Sequence, residues 1–279
     1  MAVLMTGLAM LAFAANSLLA RAALGGGLID ASSFTALRLI SGAVALGLLL
    51  WWQRGRAGLQ ARPGSWPSAV ALLTYALAFS LAYLRLGAAT GALILFAAVQ
   101  GSMILWGLLR QDWPTAPEAI GQVIAFAAFV YLLLPGLDTP DPLGSALMSA
   151  AGIAWGVYTI RGRKGGEPLG QTAGNFVRAG LLCCPLLAAP LWGGHAAPAG
   201  VALALGSGIV TSGLGYAIWY RALPHLTTTQ AATVQLTVPL IATLGALLLL
   251  GETPSLRLMA AGSCVLGGVA LAILTHRAR

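Results

Sequence analysis

Residues 88–109 read AATGALILFAAVQGSMILWGLL, twenty-two residues without one charge. At 1.5 Å rise per residue, a helix of this length crosses a hydrocarbon core of roughly 30 Å. Similar runs recur on either side at about 2–20, 31–52, 66–84, 116–134, 143–160, 169–191, 199–220, 227–250 and 255–275. Lipid offers no hydrogen-bond partners, so such runs form helices or a closed barrel. Barrel strands alternate apolar and polar residues, and these runs are continuously apolar. The pattern predicts an all-α polytopic membrane protein with ten transmembrane helices.

Composition agrees. The chain has 279 residues, 58% hydrophobic and 8% charged, against about 25% charged in a soluble domain. Its net charge of +8 reads as membrane anchoring rather than nucleic-acid binding, because the basic residues cluster in loops on one side. That side carries Arg54, Arg56, Arg62, Arg110, Arg161, Arg163, Lys164, Arg221, Arg277 and Arg279; the other carries Arg21, Arg85 and Arg257. The expectation is an inner-membrane protein with both termini in the cytoplasm. The first segment reads as a span, not a cleaved leader. Cys183, Cys184 and Cys264 read as small apolar fillers.

The two halves align at an offset of 140 residues. Arg21 falls on Arg161, Arg38 on Arg178, and Gln111-Asp112-Trp113-Pro114 on Gly251-Glu252-Thr253-Pro254. Each half, 1–137 and 138–279, holds five spans. Five is odd, so the second half enters from the opposite side, giving a 5+5 inverted repeat of the kind found in secondary transporters.

Several segments carry a family resemblance. Phe34-Thr35-Ala36-Leu37-Arg38 and Ala154-Trp155-Gly156 resemble the openings of an EamA domain. Leu214-Gly215-Tyr216-Ala217-Ile218-Trp219-Tyr220-Arg221-Ala222-Leu223, Val238-Pro239 and Leu250-Gly251-Glu252 resemble its end. The chain is similar to two tandem EamA domains of the drug/metabolite transporter superfamily, and within it to YddG-type exporters of aromatic amino acids. The resemblance implies ten helices in an inverted repeat and export of small metabolites. Two positions depart from it. Ala14-Ala15 stands where the family has Trp-Gly, and the fourth span lacks the usual proline near Gln100-Gly101.

Polar groups inside spans are costly and therefore candidates for function. Asn16 lies deep in the first span. Gln230, Thr233 and Thr237 share one face of the ninth at helical spacing, and Gln100 sits in the fourth. Tyr75, Trp155 and Tyr158 lie where rings can stack on a ligand or face a cation. The competing reading for each is helix packing. Arg38 and Arg178 lie within reach of span ends and are expected to snorkel, with contact to a substrate carboxylate the weaker alternative. No Asp or Glu occupies mid-span, which disfavours a carboxylate proton relay. His195, His225 and His276 lack metal-ligand spacing, and no GxxxxGK[ST] loop is present. The expected partners are therefore a small-molecule substrate and the lipid bilayer, without cofactor, metal or nucleic acid. Efflux of drugs or quaternary cations is the transport alternative. An intramembrane enzyme lacks a nucleophile–base pair, and a channel lacks a charged stripe.

Overall fold

The computed structural model describes residues 2–60, 63–111, 116–133, 139–162, 167–226, 231, 234–253 and 255–276. Ten helical segments follow one another among them: α1 (Ala2–Gly25), α2 (Ala31–Gln60), α3 (Trp66–Tyr83), α4 (Ala88–Leu109), α5 (Ala116–Leu133), α6 (Pro142–Gly162), α7 (Pro168–Ala189), α8 (Pro198–His225), α9 (Thr237–Leu249) and α10 (Leu256–His276). Seven of these rods are long and apolar enough to cross a membrane among the described residues. Large apolar side chains point outward, with Trp52 and Leu191 both 81% exposed. Outward apolar faces fit lipid, not water. The protein is an all-α polytopic membrane protein.

Local chemistry sets the helix ends. Ser65 caps α3, its hydroxyl accepting from the Ser68 amide at 3.3 Å, and Glu167 caps α7 through the Gly170 amide at 2.8 Å. A proline follows each cap within the first turn, where its missing N–H is harmless. Gly27 and Gly251 close two turns at φ 64° and 65°, a left-handed conformation that glycine adopts freely.

Besides the kink at Gly55 near the end of α2, three spans depart from regular α-helix. From Cys184 the end of α7 tightens to 3₁₀, which runs on past it to Trp192; Pro185 there cannot donate to the preceding turn. A π-helical stretch, Ser207–Leu214, interrupts α8. The ninth span is broken. Pro239 has no N–H for the Gln235 carbonyl, which instead accepts from the Val238 amide at 3.1 Å in a tight turn. Ala231 and Val234 are helical, Gln235 and Leu236 form a turn, and helix resumes at Thr237.

Loop contacts sort the chain into two ends. At one end Arg21 meets Glu252, Arg85 meets Asp141, and Ile29 bridges Ala196. At the other, Arg54 meets Glu167 and Arg161 reaches Ser68. The packing is mirrored between halves. α3 and α4 both pack on α6, as α8 and α9 both pack on α1. α3 packs on α7 as α8 packs on α2, while α2–α7 and α5–α10 are their own images.

The closest approach that matters for the interior is between α2 and α8. A Cβ on Gly208 would overlap the Ser41 hydroxyl and the Arg38 carbonyl; one on Gly42 would overlap Phe176 and the Gly208 carbonyl. Gly208→Ala is therefore expected to pry the two helices apart, at about 1–3 kcal/mol for overpacking. Thermal unfolding in detergent should show a lower melting temperature. Gly262→Ala, where a Cβ meets nothing within 4 Å, should not lower it.

Candidate substrate site

Lipid cannot satisfy polar side chains, so those within the spans turn toward one another. They meet between α1, α2, α3, α6, the π stretch of α8 and the break before α9. Asn16 of α1 is buried. Its Oδ1 accepts from the Ser207 hydroxyl at 2.7 Å and the Thr211 hydroxyl at 3.1 Å. Its Nδ2 donates to the Tyr75 hydroxyl at 3.4 Å. The π stretch places Ser207, Thr211 and Ser212 all in the interior. A π-bulge re-registers a helix in this way and is frequent at functional sites.

Arg38 of α2 joins the same network. Its Nη2 donates to the Tyr75 hydroxyl at 3.1 Å and the Tyr216 hydroxyl at 2.9 Å, and its Nε to the Ser212 hydroxyl at 2.8 Å. The guanidinium carbon lies 5.1 Å from the Tyr75 ring centre and 4.9 Å from that of Phe79. The expectation that Arg38 snorkels fails: it is 1% exposed. α2 is tightly packed on α7 and α8, which leaves its side chain no route to an interface. Arg178 behaves differently. It is half-buried near one end, donates to the Pro63 carbonyl at 2.9 Å and lies over Trp66.

An aromatic box adjoins the polar network. The Trp155 ring centre lies 4.6 Å from Tyr216, 5.1 Å from Tyr75, 5.4 Å from Phe13 and 5.6 Å from Tyr158. Trp155 Nε1 donates to Gln235 Oε1 at 2.9 Å, and Gln235 Nε2 donates to the Ala231 carbonyl at 2.8 Å. The Tyr158 hydroxyl accepts from Asn175 at 3.4 Å.

Of the residues singled out in the sequence, Asn16, Tyr75, Trp155 and Tyr158 are thus neighbours in one cluster. Gln100 is buried on α4, its Oε1 without a hydrogen-bond partner among the described residues. Thr237 is exposed and donates to the Val234 carbonyl at 2.8 Å, satisfying its own chain turn. Gln230 and Thr233 lie outside the described residues. The ninth-span residue that enters the cluster is Gln235, fully buried.

Both ends of the helices are tied across the halves. Arg21 Nε contacts Glu252 Oε1 at 2.9 Å and its Nη1 donates to the Tyr83 carbonyl at 3.2 Å. Glu252 Oε2 accepts from the Ala88 amide at the start of α4, at 2.9 Å, where the helix dipole favours an anion. At the opposite end Arg161 donates to the Ser68 hydroxyl at 3.1 Å, and Asn175 accepts from the Ser65 amide at 2.9 Å. An open cleft of about 540 Å³ lined by Arg21, Thr90, Thr243, Glu252 and Ser255 lies at the first end. A groove of about 500 Å³ lined by Gly47, Leu50, Pro63, Trp66 and Arg178 lies on the flank of the second. The central cluster lines neither of these, while Tyr158, with Asn175 and Tyr220, lines a small cavity at the second end.

Residues 142–274 match the EamA-like transporter family. An uncharacterized protein of Pseudomonas aeruginosa is 51% identical, with 99% of this chain and 96% of that one covered. The chain belongs to the EamA-like transporter family. An uncharacterized transporter of Archaeoglobus fulgidus is 29% identical over 80% of this chain and 82% of its own. The threonine/homoserine exporter RhtA of Escherichia coli is 29% identical over 51% of this chain and 50% of its own. A solved crystal structure shares the fold at TM-score 0.72, with 20% identity and 98% and 96% of the two chains covered. This EamA-family chain is accordingly a multi-pass membrane transporter.

Gln235 and Tyr216 stand among the polar and aromatic residues of the spans, but sequence reasoning did not select them for the site. Tyr216 sits inside the segment that carries the family resemblance. Gln235 lies four residues before Pro239, and that spacing was the available signal: the carbonyl four back from a proline loses its helical donor. Trp155→Phe keeps a ring but strands Gln235 Oε1, an expected loss of about 1–3 kcal/mol. Thermal melts should show it, and Trp155→Phe combined with Gln235→Leu should lose less than the sum of the two single changes.

Proposed function

We propose that this transporter exports amino acids or similar small metabolites from the cytoplasm by alternating access. The observation that carries this reading is the central cluster. It joins polar and aromatic side chains of both halves, is buried, and has no carboxylate among its described members. Neutral amides, hydroxyls and aromatic faces suit a small zwitterion. The family and the partial likeness to a threonine/homoserine exporter support the substrate class.

In this reading residues 1–137 and 138–279 are two five-span repeats of opposed orientation. The mirrored packing supports it, as do the positions of Arg21 and Arg161, which align in the two halves and act at opposite ends. The chain sits in the inner membrane with both termini in the cytoplasm. Breaking the Arg21–Glu252 tie opens one end, and breaking the Arg161 and Asn175 ties opens the other. Asn16, Tyr75, Trp155 and Tyr158 contact the substrate, joined by Gln100, Gln230 and Thr233 as the cluster opens; Thr237, turned outward, does not. Among the described residues no carboxylate joins the central cluster to carry protons, so in this reading flux runs down the substrate gradient. Efflux of quaternary cations fits the aromatic rings but meets the positive charge of Arg38.

The test is uptake of a panel of labelled amino acids into liposomes holding the purified chain, with and without a pH gradient. At least one amino acid should move, at a rate indifferent to the gradient. Asn16→Ala, which leaves Ser207 and Thr211 without their acceptor, should lower that flux several-fold while folded protein remains in the membrane. Movement of a cationic dye with no amino acid moving would overturn the proposal.

A further inference from the structure

Arg38 is a buried cation whose hydrogen-bond partners among the described residues are all neutral. Ser212, Tyr75 and Tyr216 supply hydroxyl oxygens, and Tyr75 and Phe79 supply ring faces. Its Nη1, which carries two N–H donors, is buried and has no hydrogen-bond partner among the described residues. An arginine cannot shed its proton to escape this situation, and an uncompensated buried charge is among the most destabilising features a fold can hold.

The described carboxylates are engaged elsewhere. Glu252 is held by Arg21 and the Ala88 amide, Asp141 by Arg85 and the Gly144 amide, and Glu167 by Arg54 and the Gly170 amide. Asp30 caps α2 through the Ser33 amide at 2.9 Å, eight residues and about 12 Å of helix rise from Arg38. Glu118 starts α5, which packs on α10 and α4.

We infer that Arg38 is the carboxylate-recognition residue of the transport site, its free Nη1 reserved for the anionic group of the passing substrate. The inference rests on the proposed export of amino-acid-like molecules and narrows it to substrates that carry a free carboxylate. The same guanidinium holds Tyr75 and Tyr216, both of which pack on Trp155. A carboxylate on Arg38 therefore leaves the rest of a small zwitterion against the aromatic box, where its ammonium faces the rings. The arrangement selects amino acids over the corresponding amines and amides, which lack the anion.

The experiment uses the full chain in liposomes and compares labelled threonine and phenylalanine with their carboxamides. The carboxamide of whichever amino acid moves should move about 10- to 100-fold more slowly, the range for losing a charge-assisted hydrogen bond. Arg38→Lys keeps the charge but loses the fork. It should raise KM for the acid about tenfold while changing kcat less. A detergent melt establishes that the variant folds, and if it does not, the comparison of acid with amide on the unaltered chain decides. Equal transport of acid and amide overturns the role of Arg38 and leaves the exporter reading standing. Transport of neither acid, with other amino acids also immobile, overturns the exporter reading itself.

Discussion

Everything in the interior follows from one constraint: the hydrocarbon around this protein accepts no hydrogen bonds. A polar side chain on a span must find its partner inside, and those partners must arrive from other spans. Arg38 is the extreme case. Its guanidinium needs several oxygens, and it takes them from α3 and from α8 in the other half of the chain. To bring α8 near enough, the α2–α8 contact has to be stripped to glycine at Gly42 and Gly208. The polar brace and the bare helix crossing are two parts of one solution.

The irregular helices belong to the same solution. A regular α-helix repeats every 3.6 residues and presents only one narrow stripe inward. Ser207, Thr211 and Ser212 are all buried, and the π turn widens the stripe that faces α1 and α2. On the ninth span Pro239 releases the helix at Gln235, whose amide then reaches Trp155. Non-helical backbone at membrane depth is tolerated where it is buried in protein. Here it falls where the two halves meet.

This explains which features are legible in the sequence. Span positions are, because hydropathy depends only on local composition. Asn16, Tyr75, Trp155 and Tyr158 stand out as polar or amphipathic groups in apolar runs, and they are neighbours in the fold. Arg38 stands out too, but its direction does not. Snorkelling and burial differ by which neighbours crowd the helix, and that is a tertiary fact. The ninth span misleads for a related reason. Assuming an unbroken helix places Thr237 on the face of Gln230 and Thr233. The break at Gln235 resets the phase, and Thr237 turns outward while Gln235 turns in.

The ties differ in strength between the ends and the middle. At one end the Arg21–Glu252 pair is about a quarter exposed on each side, and pairs of that kind contribute roughly 0–1 kcal/mol. At the other end Arg161 meets hydroxyls among the described residues, and Arg54–Glu167 is long and partly exposed. In the middle, Arg38 makes charge-assisted bonds to three hydroxyls in a dry environment, each worth about 1.5–3 kcal/mol. The halves are thus held firmly at mid-depth and loosely at both ends. In the proposed transport cycle such a body pivots about Arg38, and a ligand that adds an anion there strengthens the centre without locking either end.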